Sequence, residues 1–512
     1  YDDVVPTAPS RSRIKEWLLP VWTYLNPPMK RSNGYEGGSR KRGQEEDEDG
    51  MQLEEDEGGL VFEDPFGDDF EEEEIVEERG SDEEDEEDEG GDMEEDLDED
   101  EGAAPRVWRA GIDEIPEGEE LEYDPSAYVC YHSLRTEWPC LSFDIVRDNL
   151  GDSRHRFPLT LFMVTGSQAD RPEKNKVTII KLSDISKTQK SPDSDDSEDE
   201  EDDCDDDPTL EHIDVSHPGG VNRLRCMPQN SGVVATMSAT SGAHVFDLSE
   251  QLTSMMRHGP RAPPPARPTF SFSGHRDEGY AVDWSPVVAG QLLTGDCAGD
   301  IFSWSPLDAP TRSWQVNPTP FRGHASSVED LQWSPSEATV FSSASADKTI
   351  KIWDTRGKSG PQISVNAHDD DVNVLSWNHN VNYLLASGCE DGGFKVWDLR
   401  MVRQAQPLAN FNFHRGPVSS IEWAPHDESM LTVSSADNQV SVWDLSVEAD
   451  DPDASSSGAG GLEDYPPQLM FIHQGQQNVK EVHHHPQIPG LILSTAEDSF
   501  NVFKPSITVA SN

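Results

Sequence analysis

A unit bounded by a histidine at one end and a Trp-Asp pair at the other recurs along this 512-residue chain, and few folds accommodate that. The clearest copy opens at Gly323-His324, passes Trp333-Ser334-Pro335 and Asp347, and ends at Ile350-Lys351-Ile352-Trp353-Asp354. A second runs from His368 through Asp391 to Trp397-Asp398, and a third from His414 through Asp437 to Trp443-Asp444. An earlier copy spans His275 to Trp304, and weaker ones open at His217 and His473. The six histidines stand 58, 49, 44, 46 and 59 residues apart. Within each unit apolar and polar residues alternate in twos, the period of a strand, and Ser-Pro, Asn and Gly clusters mark turns.

Spacings near 40–45 residues with a terminal Trp-Asp match WD40 repeats. One such unit cannot bury both faces of its sheet alone, so units stack radially as blades. The expected fold is all-β: a seven-bladed WD40 β-propeller with an N-terminal helix and long disordered acidic tracts. The seventh blade is sought in Trp138 to Leu182, which has strand character without the signature; Leu141–Val146 is expected to close the ring against the last blade. Ahead of it, Leu121, Tyr128, Tyr131 and Leu134 sit at helical spacings, predicting a helix within residues 112–136 capped by Asp124. The propeller is expected over 137–505, interrupted at 191–207 and 448–469.

Charge divides the chain further. It carries 39 Lys+Arg against 100 Asp+Glu, a net of −61. Residues 45–101 hold 35 acids opposed only by Arg79, and 193–207 hold 12 acids and no base, so two tracts account for −46. Within the second tract stand Asp195, Asp196, Glu198, Asp199, Glu200 and Glu201. Few apolar side chains and strong self-repulsion predict that 45–106 does not fold alone. Such a polyanion is not expected to coat nucleic acid or an anionic membrane, and no stretch has the length and apolarity of a membrane helix. Before the first tract, Lys30-Arg31 and Arg40-Lys41-Arg42 within 30–44 read as a bipartite nuclear signal or as a solvated basic patch. Residues 1–29 fit nothing that follows and read as leader upstream of Met29. Ser81, Ser194 and Ser197 precede acids, the context acidophilic kinases prefer.

Seen singly, the repeated residues tempt a catalytic reading. His324, Asp347 and Trp353, His368, Asp391 and Trp397, and His414, Asp437 and Trp443 recur blade after blade, whereas a catalytic constellation occurs once. They are expected to form hydrogen-bonded networks in which the Asp satisfies the imidazole and the indole N–H finds an acceptor. His483-His484-His485 cannot all ligate one metal, because neighbours on a strand face opposite ways. The six cysteines never fall in Cys-x-x-Cys spacing, and no phosphate loop or nucleophile elbow occurs, so the expectation is no enzyme, no cofactor and no metal. Trp353-Asp354-Thr355-Arg356 and Trp397-Asp398-Leu399-Arg400 resemble the Trp-Asp-x-Arg motif that contacts a cullin-RING ligase adaptor; a polar turn ending in Arg is the plainer reading. Glu119, Glu120, Glu122 and Asp124 on the expected helix would face the loop bearing Asp450, Asp451, Asp453, Glu463, Asp464, Pro466 and Pro467. That groove suits a basic, partly apolar helix.

Glu137-Trp138-Pro139-Cys140-Leu141-Ser142-Phe143, the run Gly220 to Asn230, and Pro466-Pro467 leading to Phe471-Ile472-His473 resemble the retinoblastoma-associated histone-binding WD40 proteins. Leu141 to Asp148, Leu293 to Cys297 and Ser327 to Pro335 resemble the glutamate-rich WD repeat-containing proteins more closely. That resemblance implies a nuclear, largely nucleolar chaperone whose partners are core histones or a large-subunit ribosomal protein of the pre-ribosome; the chain itself is expected to be a monomer. Of the family's loop residues only Pro466 and Pro467 carry over, so individual client contacts stay open.

Overall fold

A computed structural model describes residues 123–188, 207–256, 265–307, 313–357, 360–447 and 465–507. Twenty-eight strands over these residues form seven four-stranded antiparallel sheets. Blade 1 is β2 (Ser142–Ile145), β3 (Leu159–Gly166), β4 (Lys176–Ile185) and β5 (Thr209–Ser216). Blade 2 is β6 (Val221–Met227), β7 (Asn230–Ser238), β8 (Ala243–Asp247) and β9 (Pro268–Phe272). Blades 3 to 6 begin at β10 (Ala281–Trp284), β14 (Val328–Trp333), β18 (Val372–Trp377) and β22 (Val418–Trp423). Among the described residues there is one α-helix, α1 (Ser249–Met256), which follows β8.

Blades 2 to 6 take their first three strands from one histidine-opened unit and their outer strand from the stretch leading to the next histidine. In blade 4, β16 (Thr349–Asp354) ends on Trp-Asp, and the outer β17 (Ile363–Asn366) precedes His368. Alternation buries one tryptophan per signature: Trp304, Trp353, Trp397 and Trp443 are all at most 1 % exposed. Aromatic and β-branched side chains then fill the spaces between blades, as Trp333, Phe341 and Trp353 do beside Ala281, Leu293 and Ile301 of blade 3.

The ring closes differently from the sequence expectation. Residues 128–134 are not helical. They form β1 (Tyr128–Leu134), the outer strand of blade 7, paired antiparallel with β28 (Phe500–Pro505). Leu141–Val146 does not close the ring; its core is β2, the innermost strand of blade 1. Tyr128, Tyr131 and Leu134 fit a helix by spacing, but pairing with the backbone of β28 and packing against Phe503 and His473 override that propensity. Asp124 does cap, with its carboxylate accepting from Ser126 N–H at 2.8 Å, but the element is a single 3₁₀ turn over Pro125–Ala127. The edge of β1 is covered by the segment leaving β4: Thr188 N–H donates to Val129, and Tyr131 N–H donates to Thr188 Oγ1 at 2.8 Å.

All the internal undescribed stretches lie between a blade's third and outer strands, in blades 1, 2, 3, 4 and 6. The loop at 448–469 therefore sits inside blade 6, between β24 (Gln439–Asp444) and β25 (Leu469–His473), not between blades 6 and 7. First and third strands of a blade run parallel, so these connections leave from the face where the innermost strands end. The histidine-bearing turns occupy the opposite face.

Candidate functional site

The innermost strands line a central channel, and their side chains join the blades through it. Asp144 of blade 1 accepts Cys226 N–H at 2.7 Å, Asp283 accepts Trp333 N–H at 2.6 Å, and Asp330 accepts Leu375 N–H at 2.8 Å. Ser376 accepts Trp423 N–H, and Glu422 accepts His484 N–H at 3.0 Å. Glu481, on β26 (Glu481–His484), accepts Phe143 N–H at 2.8 Å, which joins blade 7 to blade 1. Between blades 2 and 3 the polarity reverses: Arg223 Nε donates to Tyr280 O at 2.8 Å. Buried carboxylates are tolerable here because each is paired.

The middle of the channel is an ion network. Arg223 and Arg225 both reach Glu481, at 2.7 and 2.8 Å. Burial pushes the Glu481 carboxyl up, but Arg225, His483 and Arg223 outweigh it and hold it well below the usual range. Burial likewise opposes charge on His483, yet Glu422 and Glu481 on either side raise it to about 10. Of its neighbours, His484 bonds Thr432 and stays neutral through burial, and the three adjacent histidines do not converge. Beyond the network, toward the face with the undescribed connections, lies a cavity of about 300 Å³ walled by Trp284, Trp333, Trp377 and Trp423.

At the opposite mouth, where the innermost strands begin, carboxylates gather. Glu278 accepts from Asn222 Nδ2 at 3.3 Å, and Glu390 accepts from Asn373 Nδ2 at 3.0 Å. Glu329, 7 % exposed, lies among them; burial, then Asp371 and Glu390, push its carboxyl up to about 7. The amides orient the flanking carboxylates, and like charge crowds at this mouth.

The blade residues are brought together as scaffolding. His324 Nδ1 meets Asp347 at 2.9 Å, while Ser343 Oγ bridges His324 Nε2 at 2.6 Å and Trp353 Nε1 at 2.8 Å. His414 meets Asp437 at 3.0 Å. Blade 5 corrects the expectation: His368 bonds Ser387 at 2.7 Å but makes no hydrogen bond to Asp391. The hydroxyl that joins imidazole to indole was missed in the sequence. Its signal is a Ser or Thr 19 residues after the histidine, seen at Thr294, Ser343 and Ser387 and, with Phe246 in place of the indole, at Thr236. In blade 6 that position is Val433, and Ser441 serves instead, 2.8 Å from His414 and 2.7 Å from Trp443. The channel carboxylates were missed too, although an acid inside an apolar strand, as in Val282-Asp283-Trp284, marks them.

Arg356 and Arg400 are exposed, and each lies along the Asp two residues earlier, with Nε to Asp354 and to Asp398 at 2.9 Å. Arg400 also stacks 3.6 Å over the Tyr383 ring. Pro466 begins the turn into β25, its carbonyl accepting Leu469 N–H at 3.0 Å, and Pro467 is exposed. Glu119, Glu120, Glu122, Asp450, Asp451, Asp453, Glu463, Asp464, the residues 195–201, the basic pairs and the three serines lie outside the described residues.

A family model for histone-binding protein RBBP4, the C component of the CAF1 complex, matches residues 118–186, and one for the WD domain, G-beta repeat, matches 315–354, 360–398 and 405–444. Protein HEAT STRESS TOLERANT DWD 1 of Arabidopsis thaliana is 46 % identical over 430 residues, covering 78 % of this chain and 91 % of its own. Ribosome assembly protein rrb1 of Schizosaccharomyces pombe is 44 % identical over 86 % of this chain and 92 % of its own. Glutamate-rich WD repeat-containing protein 1 of Dictyostelium discoideum is 46 % identical over 86 % and 93 %. The chain belongs to the glutamate-rich WD repeat family. Among solved structures, the WD40 β-propeller domain of Doa1 matches with a TM-score of 0.49 at 14 % identity, over 74 % of this chain and 97 % of that one. This glutamate-rich WD repeat propeller is a scaffold in architecture: its repeated His, Asp and Trp residues are spent on internal hydrogen bonds.

Proposed function

We propose that this protein is a non-catalytic, monomeric chaperone that shields strongly cationic clients, core histones or a large-subunit ribosomal protein, during ribosome and chromatin assembly in the nucleus and nucleolus. The observation that carries this reading is the concentration of −46 of the −61 net charge in two tracts of a chain whose described residues form a ring of seven blades. A free histone or ribosomal protein is polycationic and binds nucleic acid indiscriminately; a polyanion competes for it and lets it go where phosphate is denser. The names of the fission-yeast relative and of the first family model support the same client classes. Phosphorylation of Ser81, Ser194 and Ser197 would deepen the charge. Deleting residues 45–101 and 193–207 together is expected to weaken binding of purified core histones at fixed salt by more than tenfold; unchanged affinity rejects the electrostatic role.

A second reading, a receptor for a cullin-RING ligase, rests on the exposure of Arg356 and Arg400 and on the name of the Arabidopsis relative. Arg356→Ala with Arg400→Ala would then abolish adaptor pull-down, and persistence of the contact would reject it. The first reading is favoured, because both guanidinium groups are already committed to their own Asp.

A further inference from the structure

Blade 5 departs from its neighbours at one corner of the hydrogen-bonded square. In blades 4 and 6 the histidine Nδ1 is held by an Asp carboxylate, and a serine two residues before that Asp accepts its N–H: Ser345 at 3.0 Å and Ser435 at 3.2 Å. In blade 5 the equivalent position is Cys389, whose thiol bonds the Asp391 carboxylate; Asp391 keeps the Gly393 N–H at 2.8 Å, as its sisters keep Thr349 and Gln439, but does not reach His368. His368 keeps its Nε2 on Ser387, but its Nδ1 carries no hydrogen bond among the described residues. A soft sulfur thus replaces the hydroxyl in the blade whose imidazole nitrogen has been released. One nitrogen, one sulfur and one carboxylate oxygen lie within 4.8 Å of one another.

We propose that His368, Cys389 and Asp391 bind a divalent cation of the zinc class, with a fourth position open on the Asp391 side. A mixed imidazole, thiolate and carboxylate set suits zinc and disfavours magnesium or calcium, which take oxygen. Donors in a tetrahedral zinc site are about 3.3–3.8 Å apart at bond lengths of about 2.0–2.3 Å, so the two turns must close by roughly 1 Å. The exposed Asp391 can swing in, while Cys389 and His368 are buried and fixed. Ser387 supplies the outer support: its Oγ accepts Trp397 Nε1–H at 2.9 Å and meets His368 Nε2 at 2.7 Å, so Nδ1 offers its lone pair to a metal in the tautomer that carries the proton on Nε2.

The local field favours a cation, since Asp369, Asp370 and Asp371 follow His368 in the same turn. The nearby cation, Lys395, is anchored on the Ala367 carbonyl at 2.9 Å. Glu390 lies between two of the ligands and reaches the channel mouth through Asn373, so a bound ion would brace the turn that presents it. Metal binding at this corner is independent of any chaperone role.

The test adds Co²⁺, a spectroscopic substitute for Zn²⁺, to the metal-free full-length chain. A thiolate bound to cobalt gives a near-ultraviolet charge-transfer band that carboxylate and histidine sites lack, and Cys204→Ser, which removes the one thiol of the two acidic tracts, should leave the band intact. One equivalent is expected to produce the band, and Zn²⁺ to bleach it. Cys389→Ser, the residue of the sister blades, should abolish it with the melting temperature retained, and Cys297→Ser should leave it intact. Asp391→Asn is a second variant that preserves shape and should reduce the band. No band in the parent chain, or a band that survives Cys389→Ser, overturns the proposal.

Discussion

Ser343 satisfies two buried groups with one hydroxyl, taking the indole N–H of Trp353 and meeting His324 Nε2. Ser343→Ala strands both, each at a cost of about 1–3 kcal/mol, so the urea midpoint is expected to fall well below that of the parent, while Ser343→Thr, the arrangement of Thr294, is milder. Glu329 and Asp283 act through pH. Their folded carboxyls are raised, to about 7 and about 8, chiefly by burial, so the native state keeps protons that the unfolded chain has already released. Their contribution to stability is therefore full below the ordinary carboxylate range and declines as pH rises through about 4 to 8. Glu329→Gln should flatten that decline in urea titrations, and an unaltered slope would contradict the assignment. At this scale the sequence was partly legible. The recurrence of histidine, Asp and Trp named the networks, but the Oγ partner moves from one strand to another in blade 6, and which carboxylates are buried depends on a neighbouring blade.

Strand β1 shows what a local reading cannot see. Tyr128, Tyr131 and Leu134 share a helical face and equally suit a strand, and the deciding partner, β28, lies at the far end of the domain. The regular units, by contrast, were legible because each contains its own three strands and turns. The Tyr128 hydroxyl bonds His473 at 2.8 Å inside an aromatic cluster with Phe471 and Phe503. Tyr128→Phe is expected to cost about 1–3 kcal/mol by orphaning His473 Nδ1, while Nε2 keeps Asn501. Limited proteolysis should then cut blade 7 before any other, and uniform cleavage of the seven blades would argue against β1 as the weak seam.

For the whole molecule, the proposed chaperone role makes client affinity a function of ionic strength, through the two tracts. The screening length shrinks from about 30 Å at 0.01 M to about 10 Å at 0.1 M salt. Binding of a core histone, followed by fluorescence anisotropy, is expected to weaken steeply across that range and beyond; a flat response would reject long-range attraction. Both tracts were plain in the composition, and their partner was not, because charge specifies a class of client and no individual. The pairing of β1 with β28 carries a consequence for biosynthesis. The strand that fastens the ring is translated before any blade and its mate among the last residues of the domain, so a nascent propeller emerges one strand short. Until release, six sheets can assemble while the seventh waits, and any premature termination leaves an unfastened sheet edge for quality control to recognise.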